Sequence, residues 1–219
     1  SPRYKSLVRM TRKNARLLWL EDPEQSLYDR QPVTLPGWVS LVSPVNYRSP
    51  RILVEFINWL GLPDEPVEPG SAVVGFDPKW YVYAATESPV PATEQALADL
   101  KSEGYSPANI AVLTLHGLAR SRIAGNAGPS HLAGSKLRRQ AGYTADGNAL
   151  WTGGDLLVDT VYRFKGQAAD AIVVTEIDFD KFEQGERRRL FVALTRARLQ
   201  VALVTTEVAA EVLRARLGA

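Results

Sequence analysis

Two segments, DTVYRFKGQAADAIVVTE (residues 159–176) and RRRLFVALTRARLQVALVTT (residues 187–206), decide the fold. Each couples a strand-like apolar run to a polar turn or helix rich in Lys, Arg, Thr and Gly, which is how an α/β sheet presents anion-binding groups at its rim. Around the first segment, Leu156–Val158 reads as a strand, Thr160–Gly166 as a polar turn and Ala171–Thr175 as a second strand. In the second, Leu190, Leu194 and Ala197 share one helical face, while Arg189 and Arg196 lie near one another on a neighbouring face. That spacing predicts a helix docked on the sheet with an arginine aimed outward. A strand over Gln200–Thr205 follows. A closing helix is expected next, with Val208, Val212, Leu213 and Leu217 as its apolar stripe and Gly218 as its stop.

The 219 residues are 45% hydrophobic and 23% charged, the balance of an ordinary globular protein large enough to bury a substantial core. A net charge of +2 neither demands nor excludes nucleic acid, but basic side chains bunch at Arg3–Arg16 and Arg187–Arg198. The absence of cysteine excludes disulfides, thiolate metal sites and cysteine nucleophiles, and is compatible with a reducing compartment. No apolar run approaches the ~20 residues that span a bilayer. The expectation is a cytoplasmic protein with no membrane partner, excised from a longer polypeptide.

Toward the amino terminus, Arg16–Leu20 reads as a buried strand followed by the acidic turn EDPEQSLYD, and Trp38–Val42 as another strand. Ser49 is suited to cap a helix with Pro50 in its first turn and Ile52, Leu53, Phe56, Ile57 and Leu60 on one face. Asn46, Tyr47 and Arg48 would then sit at a helix amino terminus, whose dipole and free N–H groups favour an anion. Ala72–Gly75 and Tyr81–Ala85 read as short strands, a hairpin around DPKW. Pro91–Glu103 reads as a helix with Leu97 and Leu100 inward, and Ile110–Leu115 as a buried strand, which implies a βαβ crossover and a parallel sheet. Gly128 and Gly134 precede Ser135-Lys136, an order and spacing that do not make a phosphate-binding Gly-x4-Gly-Lys-Ser/Thr loop. A loop leading into a helix over Leu132–Gln140 is expected there. His116 and His131 read as structural or surface residues, and Glu176, Asp178 and Asp180 as a solvated strand end rather than a metal-dependent nuclease centre.

Four segments together resemble the UvrD/Rep-like superfamily 1 helicases. LWLEDPEQSLY is similar to motif III, with Glu21 where the family usually has Gly. NYRSP is similar to motif IV, TVYRFKGQAAD to motif V and LFVALTRARLQVALV to motif VI, and only residues 51–109 separate NYRSP from the strand IAVLTL. The resemblance implies that Arg48 and Arg196 are arginine fingers on a γ-phosphate, that Gln25 senses that phosphate, and that Tyr47 stacks on the nucleotide base. It places Lys165 and Gly166 beside the nucleotide, and Thr160, Tyr162 and Arg163, with Tyr28, beside single-stranded DNA. Two departures stand out in motif V. Tyr162 replaces the usual His, and Ala168 occupies the position of a Glu that contacts the nucleotide ribose, where a methyl group accepts no hydrogen bond.

The resemblance implies an α/β, RecA-like, P-loop NTPase-type three-layer domain with a mainly parallel sheet and no P-loop of its own. Residues 1–30 would be the tail of a first lobe and residues 31–219 the second lobe, with the large accessory insertion absent or much reduced. The expected function is the C-terminal lobe of an ATP-dependent DNA helicase or translocase, paired with an N-terminal lobe that holds ATP and Mg2+. Neither group is expected to bind tightly to this fragment, which lacks Walker A and B segments and so would not hydrolyse ATP alone. The alternative is a degenerate lobe that binds nucleic acid or protein without ATPase activity.

Overall fold

The computed structural model describes residues 16–20, 27, 37–39, 41 and 43–218. Gln25, Tyr28 and most of the motif III segment lie outside the described residues. Among those described, a seven-stranded sheet runs in the order β3 (Lys79–Tyr83), β11 (Ala197–Thr206), β10 (Ala169–Ile177), β4 (Ile110–Thr114), β9 (Leu156–Thr160), β6 (Ser135–Arg138), β5 (His131–Leu132). Pairing is parallel from β3 through β6 and antiparallel between β6 and β5, so the sheet is mixed. Two small two-stranded ladders flank it, β1 (Val45–Asn46) with β2 (Glu68–Pro69) and β7 (Gln140–Tyr143) with β8 (Ala149–Trp151).

The central strands carry continuous apolar runs, such as Ala171–Val174 and Val201–Val204, because both faces of the sheet are covered. Alternate side chains go to opposite sides. Ala111, Leu113, Ile172, Val174, Val201 and Leu203 pack under helices α1 (Arg51–Trp59), α3 (Gln184–Leu194) and α4 (Glu207–Leu217). Ile110, Val112, Ala171, Val173, Ala202 and Val204 pack under α2 (Val90–Ser102) and the segment around Ile123. The result is an α/β fold with helices on both faces. The expected helix with Leu97 and Leu100 inward, the strand over Ile110–Leu115 and the two strands flanking Thr160–Gly166 are all present, β4 lying between the latter two.

Several expectations fail for identifiable reasons. Residues 16–20 are neither buried nor a strand: Leu18 and Leu20 are about four-fifths exposed, and the sheet pairs other segments. Trp38, Val39 and Leu41 are likewise outside any strand, the rest of that stretch lying outside the described residues. The run Ala72–Gly75 is not a strand, because the Val73 and Val74 carbonyls accept from Arg51 N and Ile52 N at 2.9 and 3.1 Å. Those backbone groups close the amino end of α1, so they cannot also join a ladder. Pro50, not Ser49, occupies the capping position, and it makes no side-chain cap. The helix expected over Leu132–Gln140 is the β5–β6 hairpin. Ala133 and Gly134 form its two-residue turn at φ 45° and 76°, the primed turn that suits strand twist. In α4 the buried face is Ala209, Ala210 and Leu213, whereas Val208 and Leu217 are exposed.

Candidate functional site

Three of the segments singled out in the sequence meet at the amino ends of β10 and β11. Ala169 N donates to the Arg196 carbonyl at 3.1 Å, so the turn carrying Lys165 and Gly166 lies against the end of the turn after α3. Gly75 links in the third segment. It takes φ 79°, and a Cβ there would fall 2.4 Å from Pro50 Cβ and 3.3 Å from the Leu199 carbonyl, so the start of α1 and the start of β11 are joined through a glycine. Only glycine accepts both that φ and that approach. Lys165, Gly166, Arg48 and Tyr47 are exposed. Tyr47 is 73% exposed, its ring lying over Gly70, where a Cβ would come within 2.7 Å of two ring carbons. Asn46 fixes this turn by accepting from Arg48 N and Ser49 N at 2.8 and 2.9 Å.

Two features of this edge correct the sequence reading. The first N–H groups of α1 are not free for an anion, because Val73 and Val74 already accept from them. Arg196 does not point outward. It lies beyond the end of α3, is 1% exposed, and donates from Nε to the Val192 carbonyl at 3.1 Å and from Nη2 to Thr195 Oγ1 at 3.2 Å. Arg189, which shares its neighbourhood in sequence, instead pairs with Glu186 and donates to the Leu115 carbonyl.

At the opposite edge, Thr160 ends β9. It is 2% exposed, and its carbonyl accepts from Arg163 N and Phe164 N, its hydroxyl also accepting from Arg163 N at 3.3 Å. Thr160 therefore shapes the turn that follows rather than presenting a surface hydroxyl. Tyr162 and Arg163 are half-buried. Arg163 pairs with Asp159 at 3.3 Å and hydrogen-bonds Gln140 Oε1 at the root of the β7–β8 hairpin. Burial raises the Asp159 carboxyl above its ordinary range, opposed by its bond from Thr160 N and by the Arg163 charge.

Glu176 is the residue the sequence did not disclose. Its side chain is 3% exposed, not part of a solvated strand end, and it accepts from Thr114 Oγ1, Ser121 Oγ and Arg122 N at 2.5, 2.5 and 2.6 Å. Its backbone takes φ 59°, uncommon for a residue with a side chain. It thereby fastens the loop after β4 to the carboxyl end of β10. Beside it, His116 Nε2 lies 2.8 Å from Asp178 Oδ2 on the wall of a cavity of about 340 Å³ lined also by Arg120, Lys181 and Arg189. The partners Thr114, Ser121 and Arg122 lie more than fifty positions away in sequence, so no local pattern announces them.

Residues 155–204 match the family described as the UvrD-like helicase C-terminal domain. Among solved structures, the chain is similar to the C-terminal domain of a possible DNA helicase from Lactobacillus plantarum WCFS1. The identity is 22% and the TM-score 0.50, covering 78% of this chain and 96% of that one. No curated protein matches the chain. The matched residues hold the turn after β9 and the segment from α3 into β11 as far as Val204.

Proposed function

We propose, on the match of residues 155–204 to UvrD-like helicase C-terminal domains, that this chain is the RecA-like C-terminal lobe of an ATP-dependent DNA helicase or translocase. The observation that carries the reading is the meeting of the motif IV, V and VI segments at one sheet edge, through Ala169 N on the Arg196 carbonyl and Gly75 between Pro50 and Leu199. ATP, held by a preceding lobe with Mg2+, supplies the phosphoryl group whose developing charge needs stabilising. Arg48, in the segment at that edge, and Lys165, in the connection leading to it, are exposed cations suited to a polyphosphate, and Tyr47 offers an uncovered ring. Arg196 fits the role of a finger once its bonds to Val192 and Thr195 are exchanged for an anion. A guanidinium brought onto the developing phosphoryl-transfer charge is worth roughly 10³ to 10⁵ in rate.

Gln25 would report loss of the γ-phosphate, and Tyr162 and Arg163, at the other edge with Thr160 and Tyr28, would face single-stranded DNA. Steady-state DNA-stimulated ATPase of the parent polypeptide tests the reading. Arg196→Ala is expected to lower kcat about 10³-fold with KM little changed. Undiminished turnover would remove the finger assignment. A second reading, a lobe without catalysis that binds nucleic acid, is favoured by one residue. Ala168, in the motif V turn, gives a ribose hydroxyl no acceptor. Absence of any turnover in the parent would select it.

A further inference from the structure

The β7–β8 hairpin belongs to neither the nucleotide edge nor the packed core. Its register sets Tyr143 opposite Ala149 and Gln140 opposite Trp151. Because directly opposed residues and residues two apart on a strand share a face, Tyr143, Ala149 and Trp151 lie on one side of the ribbon. Ala149 is too small to cover its partner, and Tyr143 is left 67% exposed. The Arg138 guanidinium lies 4.9 Å from the centroid of the Trp151 ring, and Arg138 and Lys136 are exposed on the strand leading into the hairpin. One ribbon face thus presents an open aromatic ring and an arginine–indole stack, with cations at its base.

The ribbon is held in place firmly. Arg139 Nη2 donates to the Ile123 and Pro129 carbonyls, both at 2.6 Å, and Arg139 and Thr152 exchange backbone and side-chain bonds across the root. Gln140 accepts from Arg163, so the hairpin is bonded directly to the turn that the proposed function sets beside nucleic acid.

We infer that this face is a stacking platform for single-stranded nucleic acid. Bases would lie on Tyr143 and on the Trp151–Arg138 stack, and phosphates would be met by Lys136 and Arg138. Aromatic faces accept any base, and arginine adds charge to the stack, so the contact is independent of sequence. A peptide partner is the less favoured occupant, because the exposed cations beside the rings match a polyanion.

The inference rests on the nucleic-acid reading of the lobe, and one titration separates the two. The 219-residue chain is titrated into 5′-fluorescein-labelled oligo(dT)20 and followed by anisotropy at several salt concentrations. Tyr143→Ser is expected to weaken binding on the order of 5- to 100-fold, and Tyr143→Phe to retain it within about twofold. Arg138→Ala should reduce the slope of log affinity against log salt by about 0.7. Leu150→Ala, on the opposite ribbon face, should change little. Binding by the wild-type chain that is indifferent to Tyr143→Ser and Arg138→Ala overturns the platform and leaves the lobe's reading intact. Failure of the wild-type chain to bind the oligonucleotide overturns both.

Discussion

Asp159 is a carboxylate almost withdrawn from water, retained by one backbone bond from Thr160 N and by the Arg163 guanidinium. Since burial dominates and raises its pKa, the native state binds the Asp159 proton more tightly than the unfolded chain does. The sign follows from linkage. Stability linked to this proton is fully present below the unfolded carboxyl pKa of ~3.9 and is lost as pH rises through the higher native value. Asp159→Asn keeps an acceptor for Thr160 N and removes the titration. Subtracting variant from wild-type unfolding free energies in urea between pH 4 and 7 should give a difference that turns against the wild type as pH rises. A flat difference would show that Arg163 already compensates the burial. Other residues resist local reading in the same way. Arg196 was legible as a residue type in a motif, but not in its orientation. The inward turn is fixed by Val192 and Thr195, whose roles as acceptors depend on where α3 ends.

At the scale of elements, the strands of the sheet were legible because burial on both faces writes itself as continuous apolar sequence, as in IAVLT and AIVVT. Apolar runs with other duties were misread for the same reason. Val73 and Val74 look like strand residues, yet their carbonyls close a helix, and their side chains are 44% and 50% exposed. Gly75 is what permits that arrangement, and a comparison with Gly134 isolates its steric part. Both glycines have positive φ, at 79° and 76°, but a Cβ at Gly134 meets nothing within 4 Å, whereas at Gly75 it strikes Pro50. Gly134→Ala should therefore cost only the left-handed strain of roughly 1 kcal/mol, and Gly75→Ala clearly more, about 3 kcal/mol. Chemical denaturation of the two variants checks the order. Equal costs would mean that the loop yields freely and does not bind α1 to β11. The hairpins of residues 131–151 were the least legible elements. Their strands span two to four residues, too short for alternation to outweigh a helical pattern.

Across the whole molecule, the two proposed chemistries lie on opposite edges of one sheet. Thr160 is level with Thr114, and Thr114 with Thr175, while Ala169 lies six residues back along β10. At about 3.3 Å per residue the two edges are ~20 Å apart. The connection of residues 161–168 runs between them, turning back on Thr160 through Phe164 and then leading past Lys165 and Gly166 to Ala169. Val161 and Phe164 hold its first half in the core with residues of α1 and α3. If nucleic acid at one edge promotes turnover at the other, this crossover, which carries residues assigned to both chemistries, is a route for the coupling, and Phe164, 2% exposed, anchors it in the core. Phe164→Leu keeps an apolar side chain there and loosens the fit, at a stability cost of about 1 to 1.5 kcal/mol. In the parent polypeptide, unstimulated ATPase should stay within about twofold of wild type, because the Phe164 side chain lies in the core and is not among the proposed phosphate contacts. Stimulation by single-stranded DNA should fall severalfold, since coupling energies of 1–3 kcal/mol correspond to roughly 5- to 150-fold effects. Stimulation that survives intact would mean that the signal passes between the lobes rather than through this connection.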